Sequence, residues 1–189
     1  MNLKNQSLPE FFIVGAQKSA STTIHNWLMQ NDEVNLPLVK ETHFFSDINM
    51  YKNGIDWYLK KFENNTKIKA EIDPSYLYIE ESIDRMKEIY KSKQPKFIIS
   101  LRSPIQRAYS HFLMSKYKGY ENLSFLDAIK AEKYRITDSN KKHTLTKDLI
   151  AYSYIDRGNY SLQIRNIQRT FKRSKILFIK FEDIINHTT

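Results

Sequence analysis

Phe11-Phe12-Ile13-Val14-Gly15-Ala16-Gln17-Lys18-Ser19-Ala20-Ser21-Thr22-Thr23-Ile24-His25-Asn26-Trp27-Leu28 falls into three parts. Phe11 to Val14 is an apolar run with β-branched residues, the composition of a short buried strand. Gly15 to Thr23 is small and polar around a single lysine, Lys18. From Thr22 onward Ile24, Trp27 and Leu28 recur at helical spacing. Strand, small-residue loop and helix together make a phosphate cradle, because the free N–H groups and the positive dipole end of a helix start both favour an anion. The hydroxyls of Ser19, Ser21, Thr22 and Thr23 supply further donors, and Lys18 supplies a full charge. On spacing alone, a strand–turn–helix with a hydroxyl cap and a surface lysine accounts for the same residues, since Ser and Thr are common helix caps.

Around this stretch the composition is that of a folded domain. The chain has 189 residues, enough for one domain with a substantial core, with 41% hydrophobic and 13% aromatic residues. The net charge of +9 favours an anionic partner without choosing among nucleotide, nucleic acid, acidic polysaccharide and membrane. There is no cysteine, which excludes a disulfide framework and a thiolate metal site. No apolar run approaches membrane-spanning length and the first ten residues lack a signal-peptide core, so a cytoplasmic protein without membrane attachment is the expectation.

Strand and helix patterns alternate along the chain. Lys67 to Ile72, Lys96 to Leu101 and Lys175 to Phe181 read as strands; Asp56 to Phe62, the spacing of Ile83, Met86 and Tyr90, that of Ile105, Ala108, Tyr109 and Phe112, and that of Tyr160, Ile164, Ile167 and Phe171 read as helices. Residues 115–148 are polar and lysine-rich, with a short helix suggested by Phe125, Ala128 and Ile129. Pro37 marks a loop or edge segment after Val34. Such alternation predicts an α/β domain, a parallel β-sheet flanked by helices on both faces, with ligands at the carboxyl ends of its strands. The loops at 15–23, 72–76 and 102–104 follow three of these strands.

Two further stretches carry chemistry. Arg102-Ser103-Pro104-Ile105-Gln106-Arg107-Ala108-Tyr109-Ser110 reads by itself as a strand end, a proline at a helix start and a basic helix surface. Lys40-Glu41-Thr42-His43-Phe44-Phe45 reads by itself as two core phenylalanines beside a solvated Glu. In an extended segment Glu41 and His43 point the same way, because side chains alternate with period two. One His–carboxylate pair offers too few ligands for a metal, so none is expected.

These stretches together resemble the sulfotransferases that use 3′-phosphoadenosine-5′-phosphosulfate (PAPS), in the branch that includes heparan sulfate sulfotransferases and bacterial relatives. The P-loop NTPase pattern fits less well: it places Gly directly before Lys, whereas here Gln17 precedes Lys18. The resemblance implies a P-loop NTPase-like sulfotransferase fold. It implies that Gln17, Lys18, Ser19, Ala20, Ser21, Thr22 and Thr23 form the 5′-phosphosulfate loop, with Ser19 and Ala20 standing where Gly is frequent. Arg102 and Ser110 match the ends of the Arg-x-Pro-x-x-Arg-x-x-Ser motif and are implied to hold the 3′-phosphate, a task suited to the planar fork of Arg. Glu41 is implied as the catalytic base, with His43 orienting Glu41 or the substrate, or acting as the base itself. Lys18 is implied to stabilise charge on the leaving phosphate.

Gly54-Ile55-Asp56-Trp57-Tyr58, Glu71-Ile72-Asp73-Pro74-Ser75-Tyr76, Arg157-Gly158-Asn159-Tyr160 and Phe181-Glu182-Asp183-Ile184 also resemble segments of that family, in its order. Ile72 stands where several members of the family carry a Lys near the transferred group, and the resemblance implies that Arg157-Gly158-Asn159-Tyr160 lines the acceptor site. The reading is therefore one sulfotransferase domain over residues 1–189, short at its C-terminal end, because family members continue into a helical segment and a basic loop that closes over the nucleotide. The implied reaction moves the sulfuryl group of PAPS to a hydroxyl or amine of an acceptor, leaving PAP, and the positive charge permits a glycan as that acceptor. The alternatives are an ATP-dependent small-molecule kinase, for which no Gly-Lys pair or Mg²⁺-binding Asp stands out, and a non-catalytic anion- or nucleotide-binding module. No nucleic-acid motif is found and the basic residues are scattered, so a nucleic-acid partner is not expected.

Overall fold

A computed structural model describes residues 7–137 and 143–186. Its centre is β1, Phe11–Gly15, the strand that opens the quoted stretch. β1 pairs in parallel with β3, Ile68–Ile72, on one side and with β4, Lys96–Leu101, on the other. A two-residue strand β2, Val34–Asn35, lies outside β3, and β5, Ile176–Lys180, lies outside β4. The order is β2-β3-β1-β4-β5, with every pairing parallel. The alternation read from the sequence thus gives the expected α/β sheet.

The two sheet faces are apolar for the same reason, namely that a parallel sheet is covered on both sides. Phe12 and Val14 point into one cluster with Phe44, Phe45, Tyr58, Tyr76, Phe97 and Phe171; Ile13 and Ile72 point into the other with Ile24 and Ile184. Phe12 is fully buried and meets Phe45, Tyr76 and Tyr90 edge to face. Burial of such a ring contributes roughly 1.5–3 kcal/mol. The edge strand β5 differs from its neighbours: Leu177 and Phe178 are both exposed.

Helix α1, Ser21–Met29, follows the loop after β1. The chain continues through two short helices, α2 (Ile48–Tyr51) and α3 (Ile55–Leu59), the latter shorter than the helix read over 56–62. After β3 come α4, Ser75–Tyr78, and α5, Glu80–Tyr90. Helix α6, Pro104–Tyr117, starts directly behind β4 with Pro104 in its first turn, where the missing N–H costs no bond. α7 (Phe125–Arg135) and α8 (Lys147–Tyr152) lie in the stretch read as mostly polar; a 3₁₀ turn (Asp156–Gly158) and α9 (Tyr160–Thr170) follow. Phe181, read as the end of a strand, instead begins α10, Phe181–Asn186. The very short helices escape sequence periodicity because four residues complete barely one turn. The expectations for the first six residues and for the end at Thr189 fall outside the described residues. No helix among the described residues is long and apolar enough to cross a membrane.

Candidate functional site

The strand ends Gly15, Ile72 and Leu101 and the start of α10 converge on one cleft of about 580 Å³, the arrangement that parallel α/β sheets offer a ligand. Gln17, Lys18, Ala20, Ser21, Thr22, Glu41, His43, Arg102 and Ser110 all line it. Residues more than ninety positions apart in the chain therefore meet there. Ser19 and Thr23 are not among the lining residues. Ser19 is fully buried, and its backbone carbonyl accepts a hydrogen bond from Ser100 Oγ at 2.6 Å, which ties the loop to β4.

The loop has the local structure of an anion cradle. Lys18 and Ala20 both adopt left-handed backbone, φ 68° and 67°, a conformation that turns successive amides toward a common concavity and is costly for residues with a Cβ. No side chain caps α1, and Ile24 N–H is the helix-start amide that bonds back, to Ala20 O at 3.0 Å. The first-turn amides of Ser21, Thr22 and Thr23 thus belong to the set that a helix leaves open. A side-chain cap, the competing reading of these hydroxyls, is absent at this helix start.

Four cations face this cradle. Lys18, Arg102 and Lys118 line the cleft, and Lys40 approaches it to donate to Thr22 Oγ1 at 2.9 Å. Lys18 is held below the usual lysine range by burial first, then by Lys118, Arg102 and Lys40. Such mutual repulsion is relieved by an anion. Arg102 donates to the carbonyl of Lys18 at 3.3 Å and stacks 4.1 Å over the ring of Phe181, while its Nε is buried without a hydrogen-bond partner. Open amides at the loop, with Lys18 and the unpartnered Arg102 Nε, form a donor set suited to anionic oxygens such as those of phosphate.

Opposite the cradle lies the loop carrying Glu41 and His43. The loop is not extended: Glu41 and His43 have φ 58° and 53°. The period-two argument therefore fails for its geometry, although both side chains still reach the cleft. What holds the loop is a buried carboxylate. Glu71, fully buried on β3, accepts from Thr42 Oγ1 at 2.5 Å, Tyr58 OH at 2.5 Å, Tyr76 OH at 3.0 Å and Thr42 N at 3.2 Å. Burial and then Asp73 push Glu71 up to about 7, while the bonds from Thr42, Tyr58 and Tyr76 pull it down. Phe44 and Phe45 are fully buried behind the loop, as the core reading of this motif had them, while Glu41 faces the cleft with its Oε1 3.4 Å from Lys40 Nζ. His43 turns its Nδ1 to Asp73 Oδ2 at 2.9 Å.

Two expectations change here. Arg107, read as a surface residue, is fully buried and donates to the carbonyl of Tyr154, and burial and then Arg157 push it down to about 10. Arg157, expected at the acceptor site, is buried against the ring of Tyr78 and donates to Ser153 Oγ; Tyr160, three residues on, bonds the carbonyl of Arg102 at 3.0 Å. These residues hold α6 and the Arg102 backbone from behind. The loop 72–76, read as following a strand at the ligand edge, contributes Pro74 and Ser75, whereas the sequence reading missed Met114, Lys118, Tyr120, Ile150 and Phe181 in the cleft. Met114 and Lys118 lie four and eight residues beyond Ser110, so the helical spacing itself could have found them. Tyr120 and Ile150 come from separate segments with no such signal. No group of three or more His, Asp or Glu suited to a metal occurs among the described residues.

The family model described as "Sulfotransferase domain" matches residues 8–189. The bifunctional heparan sulfate N-deacetylase/N-sulfotransferase 1 of Caenorhabditis briggsae is 32% identical over 117 residues, covering 59% of this chain and 13% of that protein. The heparan sulfate glucosamine 3-O-sulfotransferase 5 of Mus musculus is 34% identical over 110 residues, covering 57% of this chain and 31% of that protein. The chain thus matches under a third of the length of either relative. The solved sulfotransferase from Alicyclobacillus acidocaldarius superposes with a TM-score of 0.78 at 28% identity, covering 96% of this chain and 76% of that one.

Proposed function

The chain belongs to the sulfotransferase domain family, and from that premise we propose that it moves the sulfuryl group of PAPS to a hydroxyl or amine of an acceptor, releasing PAP. The observation that carries the proposal is the meeting of Lys18, Glu41, His43, Arg102 and Ser110 in one cleft. When bound, PAPS supplies the activated sulfuryl group; everything else is asked of the chain's own residues.

Lys18 and the open amides of α1 stabilise the negative charge that builds on the phosphate side, already oriented before the reaction begins. Gln17, Ser21 and Thr22, with the backbone of Ser19, Ala20 and Thr23, make the walls of that cradle. Arg102, aimed by Phe181 and the Lys18 carbonyl, holds the 3′-phosphate together with Ser110 and so fixes the register of the nucleotide. Glu41 accepts the acceptor's proton. Lys40 puts positive charge beside Glu41, which favours an acidic glycan as acceptor; the names of the heparan sulfate relatives support the same class. The cations gather at one cleft, which supports a small anionic ligand over nucleic acid.

The test is transfer of radiolabelled sulfur from PAPS to chemically desulfated heparin, with PAP-induced thermal stabilisation as the binding control. Transfer that disappears with Lys18→Ala is the expected result. No transfer and no stabilisation by PAP would overturn the proposal.

A further inference from the structure

Asp73, the residue that follows β3, is fully buried behind His43 and Ser75, which line the cleft. Its carboxylate accepts three hydrogen bonds. Oδ2 takes the backbone N–H of His43 at 3.0 Å and lies 2.9 Å from His43 Nδ1, while Oδ1 takes the N–H of Ser75 at 2.9 Å. The same residue therefore fixes both the backbone and the ring of His43. With Nδ1 committed, Nε2 is the nitrogen left to the cleft, which His43 lines with a third of its side chain exposed. Glu41 makes its own ion pair with Lys40 and none with His43.

The charges around the ring point one way. Glu41 faces it from its own loop, and Glu71 and Asp73 face it from the β3 side; Arg157, in the 3₁₀ turn, acts on Asp73 and Glu41. Burial opposes a charged ring, but the Asp73 bond and charge, followed by Glu41 and Glu71, outweigh it and raise His43 to about 9. The neighbouring residue Ile72 packs into an apolar cluster with Ile13 and Ile24, so β3 sends no cation of its own to the cleft.

We propose that Asp73 is a positioning residue that holds His43 as an imidazolium with Nε2–H turned into the cleft, so that His43 serves the transfer as a fixed cationic donor to the sulfuryl oxygens and not as the base. The proposal rests on the sulfotransfer reading above. In the step itself the acceptor oxygen or nitrogen forms a bond to sulfur as the bond between sulfur and the phosphate oxygen breaks. The acceptor's proton passes to Glu41, the electron pair leaves with PAP, and His43 keeps its proton throughout.

Two measurements decide it. The first follows the imidazole resonance of His43, assigned with His43→Gln, against pH in the nucleotide-free protein. The wild-type midpoint should exceed that of Asp73→Asn by about one to three pH units, the usual effect of an adjacent opposite charge. An equal midpoint in the two proteins overturns the pairing. Should Asp73→Asn fail to fold, a wild-type midpoint at or below the ordinary value of about 6.5 overturns it equally well. The second is transfer to desulfated heparin. Asp73→Asn should lose on the order of 10²-fold in kcat with little change in KM for PAPS, and wild-type activity should decline as pH rises through the His43 midpoint. Activity that rises through that midpoint makes His43 the base and overturns the role. Loss of transfer and of PAP binding in the wild type, with the His43 shift intact, overturns the sulfotransfer reading and leaves the pairing standing.

Discussion

Leu77 leaves Gly15 no room for a side chain: a Cβ at Gly15 would lie 2.8 Å from Leu77 Cδ2 and 2.9 Å from its Cβ. The end of β1 and the helix α4 behind β3 touch at that point, immediately before the loop that carries Lys18. Gly15→Ala should therefore destabilise the fold by about 1–3 kcal/mol, the typical cost of overpacking a fitted core, and weaken PAP binding because the loop starts from a displaced strand end. Urea unfolding with a PAP titration checks both; a variant as stable as the wild type would show that α4 gives way freely.

Lys18→Ala should lower the transfer rate on the order of 10²–10³-fold, the usual effect of deleting one preorganised charge donor. The fold should survive, because the side chain contributes to the cleft and to no apolar cluster. Single-turnover transfer and a thermal melt of the same sample separate the two effects, and wild-type turnover would remove Lys18 from the chemistry.

Glu41→Gln keeps the shape of the side chain and loses the proton acceptor. Turnover should fall steeply while PAP affinity changes little. Parallel nucleotide titrations and single-turnover assays of both proteins decide it; a loss of affinity with an unchanged rate would make Glu41 a binding residue.

Arg102→Ala should remove most of the stabilisation that PAP gives. At a hundredfold excess over its dissociation constant, PAP should raise wild-type stability by about 2.7 kcal/mol. Adenosine without phosphates should give little of this. A melting series with PAP and adenosine on both proteins checks it, and equal PAP stabilisation in the two would refute the 3′-phosphate role.

The pH dependence of stability should run downhill above mild acid. Glu71 is raised from 4.5 to about 7, so its contribution is fully present below 4.5 and is lost as pH rises through 7. His43 is raised from 6.5 to about 9, so its contribution is present below 6.5 and is lost as pH rises through 9. His43 is partly exposed and screened, so the buried Glu71 should dominate. Urea midpoints from about pH 5 to about pH 9 should fall in the wild type, and Glu71→Gln should flatten the lower half of that slope. An unchanged slope in the variant would remove Glu71 as its source.

Much of the fold was legible because its signals are local. An apolar run between turn residues reads as a strand whatever it pairs with, and the alternation of strands with helices implies a parallel sheet and its ligand edge. Lys18 stood out by itself in the small-residue loop, whereas Arg102 and Ser110 were named through the family resemblance; the structure brings all three to one cleft. The short helices α2, α4 and α10 and the exposure of β5 carried no such signal, because one turn shows no period and an edge strand has the same composition as a central one.

By itself, then, the sequence determined the strand–loop–helix units, the family they resemble and the charged residues that stand at their junctions. Only the tertiary structure decided what those residues are joined to. Glu71 and Asp73 are two carboxylates two positions apart on one strand end, and in sequence they look alike. In the fold one is sealed among Thr42, Tyr58 and Tyr76, and the other takes both the amide and the ring of His43. Arg107 likewise looks like a helix-surface cation until α6 packs on the 3₁₀ turn and buries it. The physical reason is that burial and partner choice depend on contacts between segments distant along the chain, and a side chain's charge state follows from those contacts and not from its neighbours in sequence.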